Sequence, residues 1–117
     1  MAAVDQTMKA IRIHAFGGPE VLRYEDAPRP QPLPGEVLIQ VHAVGLNPPD
    51  WYLREGYKML PPEWQPQVSF PIILGTDVSG VIQAVGDDVV GWAVGDEVYA
   101  MVRFPSGLAG QSQDGLI

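Results

Sequence analysis

Alternation of apolar and polar side chains is the clearest local signal along the chain. Met8–His14 (MKAIRIH) alternates and predicts a first strand. Phe16-Gly17-Gly18-Pro19 closes it with turn residues, and Val21–Asp26 predicts a second strand. Glu36–Leu46 (EVLIQVHAVGL) carries the strongest strand pattern, with Val37, Ile39, Val41 and Ala43 on one face and Gln40 and His42 on the other. Leu38 and Val44 also fall on that second face, so it is expected to be only partly wet. Asp77–Gly86 (DVSGVIQAVG) and Glu97–Val102 predict two more strands, and Gly80 marks a bulge or a close backbone approach within the first of them.

The segments between them are built from residues that break ladders. Pro28, Pro30, Pro32 and Pro34 occupy alternate positions and Gly35 ends the run, which predicts an extended, polyproline-like connector within the domain. Asn47-Pro48-Pro49-Asp50 reads as a helix start. Asn is a favoured N-cap, Pro suits the first helical position, and a carboxylate at the third favours the helix amino end. Gly56 is the matching stop, so a short helix is expected over Pro48–Glu55. Tyr57–Phe70, with three prolines and Trp64, predicts an ordered loop; Asp87–Asp96 is rich in turn residues. No segment repeats another. These spacings predict a mainly β fold, a small and partly open barrel with one or a few short helices. Its expected extent is residues 8–104, after a flexible lead-in over 1–7 and before an irregular tail over 105–117.

Composition narrows the function classes. The 117 residues hold 13 Gly and 12 Pro without period, which excludes collagen and argues against a helical bundle. The formal net charge of −7 gives no electrostatic footprint for a nucleic acid. With no cysteine there is no disulfide, thiolate metal site or thiol nucleophile. No apolar run reaches the ~18 residues of a membrane span, and Met1–Thr7 does not resemble a signal peptide. No membrane association is therefore expected, and the expected compartment is the cytoplasm.

The residues themselves carry no complete catalytic set. Neither a GxGxxG nor a GxxxxGK[ST] phosphate cradle occurs. His14 and His42 lack partners at metal-ligand spacing and read as strand residues. Asp87-Asp88 and Asp96-Glu97 read as solvated turn charges, and Ser69, Ser79 and Ser106 have no base indicated by spacing.

Three segments in order carry a resemblance. Pro34-Gly35-Glu36-Val37-Leu38-Ile39 runs into Ala43-Val44-Gly45-Leu46-Asn47-Pro48-Pro49-Asp50. Pro71-Ile72-Ile73-Leu74-Gly75-Thr76-Asp77-Val78-Ser79-Gly80-Val81 is followed by Val85-Gly86. Val94-Gly95-Asp96-Glu97-Val98 comes last. Together they resemble the N-terminal GroES-like catalytic domain of medium-chain dehydrogenases/reductases, in the zinc-independent quinone oxidoreductase and enoyl reductase branch. The resemblance covers roughly 8–102. Zinc alcohol dehydrogenases of that family place a Cys where this chain has Asn47, and a Gly-His-Glu triplet where it has Gly75-Thr76-Asp77. Asn and Thr do not replace thiolate and imidazole as zinc ligands, so no zinc is expected. The family's Rossmann domain is absent from these 117 residues.

The resemblance implies an NAD(P)H-dependent oxidoreductase that passes hydride to a quinone, or to an activated C=C or carbonyl group, of a small-molecule substrate. The NADPH or NADH would be bound mainly by the absent Rossmann domain, and the isolated chain is expected to be inactive. Asn47 and Tyr52 are the residues it points to as catalytic. Asn47 would hydrogen-bond at the reacting end of cofactor or substrate, and Tyr52 would donate to a quinone or enone oxygen, where a hydroxyl stabilises developing enolate charge. Asp50 and Thr76 would line the same cleft. For each a packing or capping role is the alternative: Asn47 as an N-cap, Tyr52 as half-buried packing, Asp50 as a helix-terminus carboxylate, with Trp51 and Tyr57 read as packing. The rival reading of the whole is a non-enzymatic GroES-like module for binding or assembly. In either case the strands counted are too few to close a barrel, so the chain is expected to form a homo-oligomer or to pair with a Rossmann domain.

Overall fold

The alternating segments pair into two antiparallel three-stranded sheets, seen in a computed structural model that describes residues 7–102. The first sheet contains β1 (Thr7–Ile13), β2 (Arg23–Pro28) and β4 (Ile72–Ile73), in the order β2-β1-β4. The second contains β3 (Val37–Gly45), β5 (Asp77–Val85) and β6 (Glu97–Met101), in the order β3-β5-β6. One helix, α1 (Pro48–Arg54), follows β3, and single 3₁₀ turns occur at Pro19–Val21 and Pro62–Trp64. The fold is mainly β and the two sheets are not closed into a barrel. The expected tail over 105–117 and all of the expected lead-in except Thr7 lie outside the described residues; Thr7 itself opens β1, opposite Pro28.

β1 alternates in burial as its sequence predicts and ends on Ile13, which is fully buried. His14 lies just past the strand rather than in it. There its Nε2 meets Glu25 Oε2 at 2.6 Å, while Arg12 Nε donates to the same oxygen at 2.7 Å. These two hydrogen bonds, His14's foremost, hold the Glu25 carboxyl below its ordinary pKa. β2 begins later than its apolar pattern predicts because Pro19 starts a 3₁₀ turn that takes up Val21. It ends on Pro28, which is tolerated because β2 is a sheet edge. β4 was not expected. Its two residues are too few to show a period, and its existence depends on pairing with Arg12 and Ile13, far back in the sequence.

The proline-rich connector ends in a turn whose chemistry the sequence spells out. Glu36 N–H donates to Leu33 O at 2.9 Å across Pro34-Gly35, and Gly35 takes φ +82°. Pro then Gly at the two central positions, with a positive φ at the second, fits a type II turn.

The β3–β5 ladder contains two irregularities that compensate. Leu38 pairs with Ala84 but Ile39 with Ile82, which leaves Gln83 extra on β5. Val41 pairs with Gly80 and Ala43 with Ser79, which leaves His42 extra on β3 and restores the original register. The even alternation predicted for β3 is therefore broken at His42. Only Val37–Ile39 are half-buried, and Gln40–Gly45 are exposed. The expectation of one apolar face along the whole strand holds only for its first third, because beyond Ile39 no described residue packs over that face closely enough to bury it. Between the bulges the backbones approach so closely that a Cβ on Gly80 would lie 2.0 Å from Gln40 O. The close approach expected at Gly80 is there.

A small core joins α1 to the first sheet. Ile13, Leu53 and Ile72 are buried together, with Val21, Tyr57, Val68 and Leu74 packed around them. The second sheet buries Val78 and Ile82. Gly80→Ala should lower stability by about 1–3 kcal/mol or more, since the clash is with backbone that cannot rotate away. Denaturant unfolding of the variant against the parent chain tests this, and an unchanged midpoint would contradict it.

Candidate functional site

The start of α1 is assembled by local chemistry. Asn47 is extended, with φ −133° and ψ 157°, and Pro48 and Pro49 lead into the first turn. Asp50 N–H donates to Asn47 O, and Asn47 N–H donates back to Asp50 Oδ2, both at 2.9 Å. Asp50 therefore does hold the helix terminus, as its position predicts. At the other end Glu55 N–H reaches Trp51 O and Gly56 N–H reaches Leu53 O, so the helix stops at Arg54, one residue before the predicted end. Arg54 Nε donates to Gly17 O at 3.1 Å, tying the helix to the loop that follows β1.

The side chain of Asn47 is fixed by a residue that sequence reasoning did not select. Its Nδ2 donates to Asp77 Oδ2 at 2.7 Å. Asp77 opens β5 directly opposite Gly45, the last residue of β3, which brings it beside Asn47. The sequence signal for it is the Gly75-Thr76-Asp77 triplet, whose third residue carries a carboxylate.

A cleft of about 1180 Å³ runs between β1 and β3 to the start of α1. Asn47 and Asp50 line it, together with Trp51 and Arg54; Tyr52 and Thr76 are not among the lining residues. Tyr52 is half-buried on α1, its ring centroid 4.4 Å from that of Trp51 and 5.9 Å from that of Tyr57. Its hydroxyl has no hydrogen-bond partner among the described residues. Thr76 is half-buried too, and its carbonyl accepts from Val102 N–H at 2.7 Å, fastening the end of the last strand. The structure thus brings Asn47, Asp50 and Asp77 together, sets Tyr52 in an aromatic group on the same helix, and leaves Thr76 beside Asp77.

Tyr57 is the second residue that sequence reading passed over as a site member. It has φ 52° and packs against the core. Burial raises its pKa above the ordinary value, with the Asp50 carboxylate and then Tyr52 adding to the effect. Tyr57 therefore couples the aromatic group to the polar one, and its hydroxyl stays protonated beyond the range of a free tyrosine. Among the described residues no group of His, Cys, Asp or Glu is arranged to hold a metal ion. What the arrangement offers is hydrogen-bond donors with a net charge of zero, an amide and phenols, beside two carboxylates.

A profile of the alcohol dehydrogenase GroES-like domain matches residues 33–115. The chain belongs to that family. It is a GroES-like N-terminal domain of the medium-chain dehydrogenase/reductase type, similar to those of zinc-independent quinone oxidoreductases. It is 39% identical over 110 residues to a quinone oxidoreductase of Sus scrofa, covering 93% of this chain and 32% of that protein. The solved quinone oxidoreductase of Coxiella burnetii superposes with a TM-score of 0.73 at 38% identity, over 85% of this chain and 31% of the other. A mycobacterial relative solved as a complex with NADPH gives 0.68 at 38% identity, over 81% and 28%. The chain spans about a third of the length of the curated relatives it matches.

The raised pKa of Tyr57 has a defined consequence for stability. Between the ordinary tyrosine value and the folded one, the folded chain retains a proton that the unfolded chain has lost. The contribution of Tyr57 is then complete below about pH 10 and is lost as pH rises through the folded pKa. Unfolding midpoints followed into the alkaline range should fall more steeply for the parent chain than for Tyr57→Phe, and parallel curves would contradict this.

Proposed function

We propose that this chain is the substrate-side domain of an NAD(P)H-dependent oxidoreductase that reduces a quinone, or an activated C=C or carbonyl bond, by hydride transfer. The observation that carries the reading is the 39% identity to a quinone oxidoreductase across 93% of the chain. The relative solved with NADPH supports the choice of cofactor.

The residues present suit the uncharged nicotinamide end of such a cofactor and not its phosphates. Asn47 lines the cleft and still has a second amide N–H beyond the one given to Asp77. Asp50 and Asp77 beside it, and the net charge of −7, oppose a polyphosphate. When bound, the cofactor supplies the hydride. The chain orients and encloses: Asn47 would hydrogen-bond at the reacting end, with Asp50 holding its backbone in place, while Tyr52, on the same helix but outside the cleft's lining, would have to turn its hydroxyl toward the substrate oxygen to donate as charge builds there. Thr76 would stand behind the cleft, next to Gly75, which does line it. The apolar walls of β1 and β3 would keep water from the reacting atoms.

In the full-length polypeptide that carries this domain, Tyr52→Phe should slow quinone reduction about a hundred- to a thousandfold, corresponding to loss of one oxyanion-type hydrogen bond of roughly 2.7–4 kcal/mol. The melting temperature should not move. Turnover equal to the parent's would reduce Tyr52 to packing.

Leu46, Val90 and Tyr99 are 85%, 88% and 90% exposed, apolar area that either the rest of a longer reductase or another copy of the chain would cover. Light scattering of the 117-residue chain should therefore show association. A stable monomer with sharp, cooperative unfolding would contradict this and favour the second reading, a self-sufficient module that acts by binding.

A further inference from the structure

Asn47 is gripped twice at the head of α1, and the two grips do different things. Asp50 takes the backbone N–H of Asn47 at 2.9 Å, which sets where the helix begins. Asp77 takes the side-chain amide at 2.7 Å, across a sequence separation of 30 residues. A helix start needs only the first. The second fixes the rotation of an amide whose two faces are chemically opposite.

A carboxylate can only accept, so the nitrogen of the Asn47 amide has to face Asp77 and its oxygen has to face away. Without that partner the terminal torsion of an asparagine is broad and nearly two-fold, and donor and acceptor exchange places. The surroundings keep this bond clear of obstruction. Gly45 pairs with Asp77 across the ladder, and a side chain at Gly45 would crowd the clamp, its Cβ lying 3.3 Å from Asp77 Cβ, 3.7 Å from Asp77 Oδ2 and 4.0 Å from Asn47 Nδ2. The clamp also joins α1 to the second sheet, while Leu53 on the same helix is buried against the first. Thr76, directly before Asp77, is held at its backbone carbonyl by the hydrogen bond from Val102 N–H.

We infer that Asp77 is a positioning residue: its carboxylate fixes the amide of Asn47 in one orientation, so that the cleft meets a single arrangement of donor and acceptor. This inference rests on the reductase reading, in which Asn47 faces the reacting end of cofactor or substrate. Asp77 itself does not line the cleft; it acts through Asn47.

The test uses the full-length polypeptide with NADPH and a simple quinone. Asp77→Ala should lower kcat/KM about ten- to a hundredfold, the scale on which groups that orient a functional side chain act. Because that variant also loses a tie between helix and sheet, a second one separates the roles. Asp77→Asn keeps the size and a hydrogen bond to Asn47, but its amide can donate as well as accept, so the bond no longer enforces one orientation. That variant should recover the melting temperature and leave kcat/KM depressed. Recovery of both together would overturn the inference, because the bond would then serve the fold alone. So would unchanged kcat/KM in Asp77→Ala, given an active parent. A parent protein with no quinone turnover would defeat the reductase reading itself, and this inference with it.

Discussion

The approach of β5 to β3 at Gly80 is the constraint from which the rest of the site follows. A Cβ there would lie 2.0 Å from Gln40 O, so the two backbones can lie this close only with glycine at that position. On either side of the contact the ladder gains one residue, at Gln83 on β5 and at His42 on β3, and the two cancel. Register therefore comes back into step where the strands leave the sheet, and Gly45 ends opposite Asp77. Had only one bulge been present, every side chain beyond it would have moved by one position and turned to the other face. Asp77 would then point away from Asn47. A glycine in mid-strand and a hydrogen bond at the helix head are two ends of one geometric requirement.

That dependence explains which features could be read in the sequence. The head of α1 was legible because its determinants are adjacent: Asn47, two prolines and Asp50 act within a single turn, and the observed bonds are those the pattern implies. The same holds for Pro34-Gly35 and for Gly80, where the lack of a side chain is itself the signal. β4 was not legible, because Ile72 and Ile73 become a strand only through Arg12 and Ile13. The exposure of β3 beyond Ile39 was missed for a similar reason. Its apolar alternation is real, but burial depends on what packs over the face, and beyond Ile39 no described residue does so closely enough. Among the site residues, Asn47 and Asp50 were found together and the structure has them in contact. Asp77 was overlooked because its partner is 30 residues away. Tyr57 reads as packing in the sequence, and its proximity to Asp50 and Tyr52 arises only because the loop after α1 folds back.

The electrostatic character of the site follows from burial. No polar or charged residue among the described ones is fully buried. Asp50 and Asp77 instead spend their charge on hydrogen bonds from the backbone and side chain of one asparagine. Burial displaces the titration of Tyr57 toward its neutral form. A site built for proton abstraction usually keeps a base partly desolvated beside a group that tunes it. Here the carboxylates are committed to holding an amide, and the groups left to act are neutral donors.

Such donors are effective only when they do not have to reorganise as charge develops, since a dipole that must turn during the reaction gives back much of its benefit. Rigidity at Asn47 is then the quantity that matters, and the fold supplies it from both sheets. Leu53 anchors α1 in the core of the first sheet, and Asp77 binds the head of the same helix to the second. The two sheets are not closed into a barrel. The helix head is consequently a point where a tie between them is concentrated, and the hydrogen bond that orients the amide is part of that tie. On the reductase reading, the positioning of the reacting end and the mutual placement of the sheets are one mechanical problem, solved by the same few residues.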